Sequence, residues 1–259
     1  MIKFFRHIRR NLMETGKTGK YLKYAIGEII LVMIGILLAL QVNNWNINKI
    51  NSLKEIEYLT GLKNDLEKQI TEIVAVKNFS DNILNQAETV LAEYNSKASI
   101  QDIDSLNTKL SQLIYTRHFP DIRTTFNELN STGQINLILN KKLRSQIITF
   151  YQNASKYSIS ISGNIKDVFY TNVFPVLSTS IVIRANNFGY QVTKFDENEF
   201  EQKMHNQLQQ DNYKSPTTFE IINAVSTRII IENSTRNYIE NSLKEAQALL
   251  IDIETELKK

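Results

Sequence analysis

An apolar run from Ala25 to Val42 constrains this chain more than any other feature: of its 18 residues, only Glu28 and Gln41 carry strongly polar side chains. As a helix rising about 1.5 Å per residue it covers roughly 27 Å, close to the hydrocarbon thickness of a bilayer. Tyr21, Tyr24 and Trp45 stand near its ends, where amphipathic aromatic rings settle at headgroup level. The run predicts one membrane-spanning helix over residues 23–44. No other stretch approaches its apolar length.

Flanking charge predicts which end stays inside the cell. Residues 1–23 hold Lys3, Arg6, Arg9, Arg10, Lys17, Lys20 and Lys23 against a lone Glu14, and flanks rich in Lys and Arg resist translocation. Residues 1–22 are therefore expected as a cytoplasmic basic tail and residues 45–259 as an exported domain. The run exceeds a signal-peptide core and is followed by Gln41-Val42-Asn43-Asn44-Trp45, without a small-x-small cleavage pattern, so an uncleaved anchor is expected. The sequence has no cysteine, and the exported part is expected to fold without disulfides.

The net charge of +3 belongs to the tail. The other 236 residues hold 23 basic and 26 acidic groups, a net of −3. Such a domain lacks the basic surface of a nucleic-acid binder, and no nucleic acid is expected as a partner. The membrane lipid bilayer is, because its anionic headgroups attract a basic tail.

Within the span, Gly27, Leu31, Gly35 and Ala39 recur every fourth residue on one ridge, where a second copy or another membrane protein can approach closely. Glu28 carries two alternatives. A carboxylate in hydrocarbon marks a proton or ion path; one turn from Lys23 and Tyr24, it can instead reach headgroup water or pair with Lys20 or Lys23 at the interface. A short basic tail, one span with an acid and an exported domain is similar to the proton-channel partner subunits of bacterial stator motors, in topology only. The peptidoglycan-binding motifs of such subunits are not visible.

Past the span, Ile50, Leu53, Ile56, Leu59, Leu62, Leu66, Ile70 and Ile73 follow at threes and fours, one stripe of a helix expected to run to about Tyr94. Gly61 is its expected kink. Further helices are expected over 101–117 and 122–131, then one capped by Asn140 and running through Val168 until Pro175 closes it. Gly133 is placed for a left-handed cap. Residues 180–193 allow a small hairpin or an irregular loop. A helix over Glu197–Gln210 and a final one of about forty residues, opened by Thr217-x-x-Glu220, complete the pattern. The expected fold class is all-α: the transmembrane helix continuing into an elongated antiparallel bundle, with that hairpin as the one departure the pattern allows.

Chemistry is sparse. His7, His118 and His205 have no second ligand at metal-site spacing, and with no Cys neither a metal site nor another cofactor is expected. No phosphate-binding glycine loop or nucleophile elbow occurs. Acidic pairs such as Glu55/Glu57 and Glu254/Glu256 fall on opposite helix sides. The chain is expected not to be an enzyme. Phe150, Tyr151, Tyr157, Phe169, Tyr170 and Phe174 are expected as core, with a ligand pocket between helices as the alternative.

Two stretches carry a resemblance. Tyr24 to Asn46, with its Gly-Glu-Ile and Ala-Leu-Gln-Val-Asn-Asn-Trp segments, and Leu129-Asn-Ser-Thr-Gly-Gln-Ile-Asn-Leu-Ile138 followed by Lys142-Leu-Arg144 and Tyr151, resemble a family of uncharacterised single-span envelope proteins of Gram-negative bacteria. The resemblance implies an inner-membrane anchor with a periplasmic helical domain and brings no catalytic residues. The expected role is a scaffold or accessory subunit acting through protein contacts as a homo-oligomer or with another membrane protein. The alternative is transduction, through a small-ligand-sensing ectodomain or a Glu28-dependent partnership.

Overall fold

The computed structural model describes Arg6, Arg10, residues 18–210 and residues 216–259. The tail positions Lys3, Arg9 and Lys17 lie outside the described residues. Every regular element is helical, and no strand occurs among the described residues. Contacts divide the chain into two units, Met1–Glu57 and Tyr58–Lys259.

Helix α1 runs unbroken over Thr18–Lys97. Gly61, the expected kink, lies inside it and serves packing instead: a Cβ there would stand 2.8 Å from Thr125 Oγ1 and 2.9 Å from its Cγ2. Helix α1 stops where Ala98 takes a left-handed conformation, φ 55°. Ser105 does the same at φ 53°, so the helix expected over 101–117 shortens to α2, Leu106–Leu113. The intervening loop is tied to α1 by Glu93, which pairs with Lys109 and accepts the Asp104 N–H.

After an irregular stretch come α3 (Thr124–Ser131), a 3-10 turn at Gln134–Leu137 and α4 (Lys141–Gly163). Gly133 adopts the expected left-handed conformation, φ 68°. Asn140 caps α4, its side chain accepting from the Lys142 and Leu143 amides. The helix does not close before Pro175. It widens into a π-wound segment, Asn164–Val173, ending with Phe174 N–H on Phe169 C=O, and continues as α5, Phe174–Thr179. A proline ring crowds the carbonyl four residues back, and the wider winding relieves that conflict.

The hairpin allowed over 180–193 does not form. Asn107 occupies both backbone groups of Val182 with its side-chain amide, and Glu197 accepts the Ala185 and Asn186 N–H groups. Side chains thereby take the backbone bonds a ladder would need, and Ala185–Phe188 winds as a 3-10 turn. Helix α6 (Glu197–Gln210) and α7 (Thr218–Glu256) follow, the latter opened by the full Thr217/Glu220 capping box.

Within Tyr58–Lys259, α1 and α7 run antiparallel: Lys63 meets Glu254 at 2.9 Å, while Ser80 meets Glu232 at 2.5 Å. Helix α4 packs along α7. Three apolar clusters stack along these helices. Leu62, Leu129, Ile147 and Leu249 lie in the first, Ile73, Ile161 and Ile239 in the second, and Val90, Leu113, Phe169 and Val225 in the third.

Candidate functional site

Three places concentrate side chains that packing alone does not explain, one in the first unit and two in the second. In Met1–Glu57, an 18-residue window of α1 reaches a mean hydropathy of 2.4 with none of it buried, long and apolar enough to cross a membrane. The ridge of Gly27, Leu31, Gly35 and Ala39 is exposed, and a Cβ at Gly27 or Gly35 would meet nothing within 4 Å. Lys23, Tyr24, Gly27, Glu28 and Leu31 line a concavity of about 310 Å³. Trp45 is exposed, with Lys49 5.7 Å over its ring. Ile47, Ile50, Leu53 and Ile56 are exposed too, so the stripe predicted from Ile50 onward becomes buried only from Leu59.

The second place is a clamp that fastens the irregular segment 115–123 to α1. Gln69 donates through Nε2 to Pro120 C=O at 2.5 Å and accepts the Ile122 N–H at 2.8 Å, using both ends of its amide on one strand of backbone. One helical turn earlier, Asp65 accepts the Thr125 N–H at 2.7 Å, placing a carboxylate at the start of α3 where unpaired N–H groups favour an anion. Phe126 then stacks on Tyr151 at 4.3 Å. The Tyr151 hydroxyl is buried without a hydrogen-bond partner among the described residues, and desolvation by burial raises its pKa well above the ordinary 10.0. The Tyr58 hydroxyl lies 2.7 Å from Gln134 Oε1, to which it donates, and 3.2 Å from Glu128 Oε1, and Asn140 donates to Glu256, so the 129–138 motif is held from within and from its flanks.

The third place is a buried charge. Arg228 has no exposed surface; its Nη2 donates to Tyr115 C=O and lies 2.8 Å from Glu232 Oε1, and its guanidinium stands 4.7 Å over the Phe169 ring. Ser80 of α1 donates to the other oxygen of Glu232 at 2.5 Å. Burial lowers the pKa of Arg228, while Glu232 opposes that shift. Arg228 Nε and Nη1 have no partner among the described residues. Phe169 sits inside the π-wound segment, so one buried charge ties together α1, the 115–123 segment, α7 and the non-α turn.

Sequence spacing located the long apolar helix and the caps, but missed the clamp and the buried pair. Asp65, Gln69, Arg228 and Glu232 look like ordinary polar positions of striped helices until the opposing chain is in place. A charged residue on the buried side of the α7 stripe, four residues before another of opposite sign, was the available signal. Of the aromatic residues expected as core, Phe150 and Tyr151 lie in one cluster, Tyr157 against a second, and Phe169 with Phe174 in a third; Tyr170 is not core but 51% exposed, its ring resting against Phe169 and Phe174. A surface groove of about 540 Å³ between α4 and α7 is lined by Lys142, Gln146, Phe150, Glu245 and Leu249.

Among the described residues, no group of three His, Asp or Glu side chains is placed to hold a metal ion. The arrangement as a whole can fasten helices, offer an apolar face to a membrane and present polar grooves. No curated protein and no solved structure matches the chain. A family model described as "Family of unknown function (DUF6090)" matches residues 28–178, from Glu28 through the clamp, the 129–138 motif and the π-wound segment, short of α7. That match takes in more than half of the sequence, and the chain belongs to this family of unknown function.

Proposed function

We propose that the chain is a single-span inner-membrane protein of the Gram-negative type, with its basic tail in the cytoplasm and its Tyr58–Lys259 unit in the periplasm. It works without catalysis, as a scaffold or accessory subunit that contacts a second copy of itself or another membrane protein. One observation carries this: a single helix leaves its most apolar 18 residues wholly exposed, while the unit after it builds its own core. Exposed apolar surface on that scale needs lipid or protein around it. The charge bias of residues 1–23 supports the orientation. Photo-crosslinking from Leu53 and Ile56 in intact cells is expected to capture a second copy or a membrane protein. A detergent-purified monomer together with no crosslinked product would overturn the contact role.

The concavity beside Glu28 favours a second version, in which the span takes part in proton-coupled work of a partner. Glu28→Gln is then expected to abolish the chain's cellular phenotype at unchanged abundance, and an unchanged phenotype removes this version.

A further inference from the structure

We propose that the π-wound segment, Asn164–Val173, is a register latch: the buried guanidinium of Arg228, seated over the Phe169 ring, selects the wide winding over an α-helical one. That choice sets how α5 and the residues after it are turned against the bundle. The latch lies wholly within Tyr58–Lys259 and works whether or not α1 crosses a membrane.

A wide winding is admitted by the spacing of the apolar residues. Ile161, Ile165, Phe169, Val173 and Leu177 recur every fourth residue, and each is at most 4% exposed. At about 3.6 residues per turn, each step of four advances by about 40°, which fans the series through about 160° of an α-helix. That is well beyond the stripe of roughly 100° that a helix commonly buries. More residues per turn bring every fourth residue back towards one line, so the winding closed by i→i+5 bonds seats all five on the core.

Side chains of α7 then fix the register. Pro175 carries no N–H, so neither winding gains a backbone bond at that position. Asn164 Nδ2 donates to Ser234 Oγ at 3.4 Å where the segment starts, and Arg228 stands 4.7 Å over Phe169 at its middle. Phe169 C=O also takes the Phe174 N–H, so the ring under the cation and the wide bond belong to one residue. The cation is itself held, since Tyr115 C=O accepts from Nη2, Glu232 lies 2.8 Å from it, and Ser80 donates to Glu232. A cation over an aromatic face is strongest where both are dry, as they are here. Return of the segment to α winding by one residue would turn everything after it by about 100° and shift it by about 1.5 Å. Leu177 would leave the core, and Val182 would leave Asn107, which holds both of its backbone groups.

The test is hydrogen–deuterium exchange read by mass spectrometry on the full-length chain in detergent, comparing residues 164–182 with 141–160 and 240–256. Arg228→Met with Glu232→Leu removes the cation while replacing two matched charges by two matched apolar groups. Exchange is expected to rise about tenfold over 164–182, the order of one desolvated cation–π contact, and to stay unchanged in the other two stretches. The turn of α5 is read separately by Leu177→Cys, the chain's single cysteine, whose labelling by a maleimide is expected to be about tenfold faster without the cation than with it. Phe169→Leu, which keeps the site apolar but removes the ring, is expected to speed both readouts with Arg228 and Glu232 intact, and it decides the matter if the double variant does not fold. Unchanged exchange over 164–182 overturns the latch, because packing alone would then hold the winding. A local rise with Leu177→Cys labelling at its original rate overturns it too, since α5 would not have turned. So does a rise of equal size in all three stretches of Phe169→Leu, which would make the ring a stabiliser of the whole unit.

Discussion

The two stretches of α1 on either side of Glu57 have the same secondary structure and opposite surroundings. Leu31 is 63% exposed and Leu62 is 0% exposed, although both are leucines on one uninterrupted helix. From Leu59 onward, one face is covered by α3, α4 and α7, and polar residues occupy most of the remainder, with Val74 the exposed exception. Before it, residues 25–42 are apolar on every side, which a protein partner on one face cannot satisfy and a bilayer can. Helix formation is local; what a helix is made to bury is decided by its circumference.

The largest test of this contrast is a pair of charges on the exposed stretch. Ile34→Arg with Leu38→Arg adds about 6 kcal/mol to the cost of insertion, from roughly 3 kcal/mol per arginine near the centre of a span. The doubly substituted chain is expected in the soluble fraction after carbonate washing, with the melting of Tyr58–Lys259 unchanged. Continued membrane retention would break the comparison at its first term.

Next in size is the buried pair. Arg228→Met leaves Glu232 without its cation and is expected to destabilise the second unit by about 3–5 kcal/mol, read from chemical denaturation followed by circular dichroism. Arg228→Met combined with Glu232→Leu is expected to recover most of that loss, because two matched apolar groups replace two matched charges. Equal loss in the single and double variants would mean that the Phe169 contact, not the pair, carries the stability. Membrane attachment is expected to survive either change.

These two sites also differ in how legible they were. The long apolar helix is written in composition alone, since its 18-residue apolar window needs no partner in the chain to be recognised. Asn140, Gly133 and the Thr217/Glu220 box were equally readable, because a cap is settled within four residues. The Gln69 clamp and the Arg228–Glu232 pair were not, because each meets backbone or side chains about fifty or more positions away. Residues 180–193 stayed open between a hairpin and an irregular loop for the same reason. Their β-branched pattern is local, whereas Asn107, which takes the Val182 backbone, is distant in sequence.

Glycines on the same helix give a smaller contrast. Gly61→Ala gains about 1 kcal/mol of helix propensity but sets a methyl group against both branches of Thr125, so no rotation of that side chain clears it. With overpacking costing about 1–3 kcal/mol, a net loss near 1 kcal/mol is expected, seen as a lower melting temperature. Gly35→Ala meets nothing within 4 Å and is expected to leave melting unchanged. An effect there would report a neighbouring helix from another chain.

Smallest is the response to acid, confined to the second unit. Glu254 is held below the ordinary 4.5 by its hydrogen bond with Lys63, and Glu256 likewise by Lys259 and then Asn140. Glu93 is lowered chiefly by Lys109. A depressed carboxylate contributes stability in full above its unfolded value and loses it as pH falls through the folded one. Melting temperature is therefore expected to drop as pH falls below 4.5, and Glu254→Gln to remove part of that slope. A slope unchanged by Glu254→Gln would assign the acid response elsewhere.

The central claim is that residues 25–42 stay in lipid, with the two ends of the chain on opposite sides. The native sequence has no cysteine, so a single one introduced at either end reports its own compartment without background. In spheroplasts treated with a membrane-impermeant maleimide, Lys258→Cys is expected to label at once and Lys3→Cys only after lysis. Labelling of both before lysis, or protection of Lys258→Cys until lysis, would contradict the account.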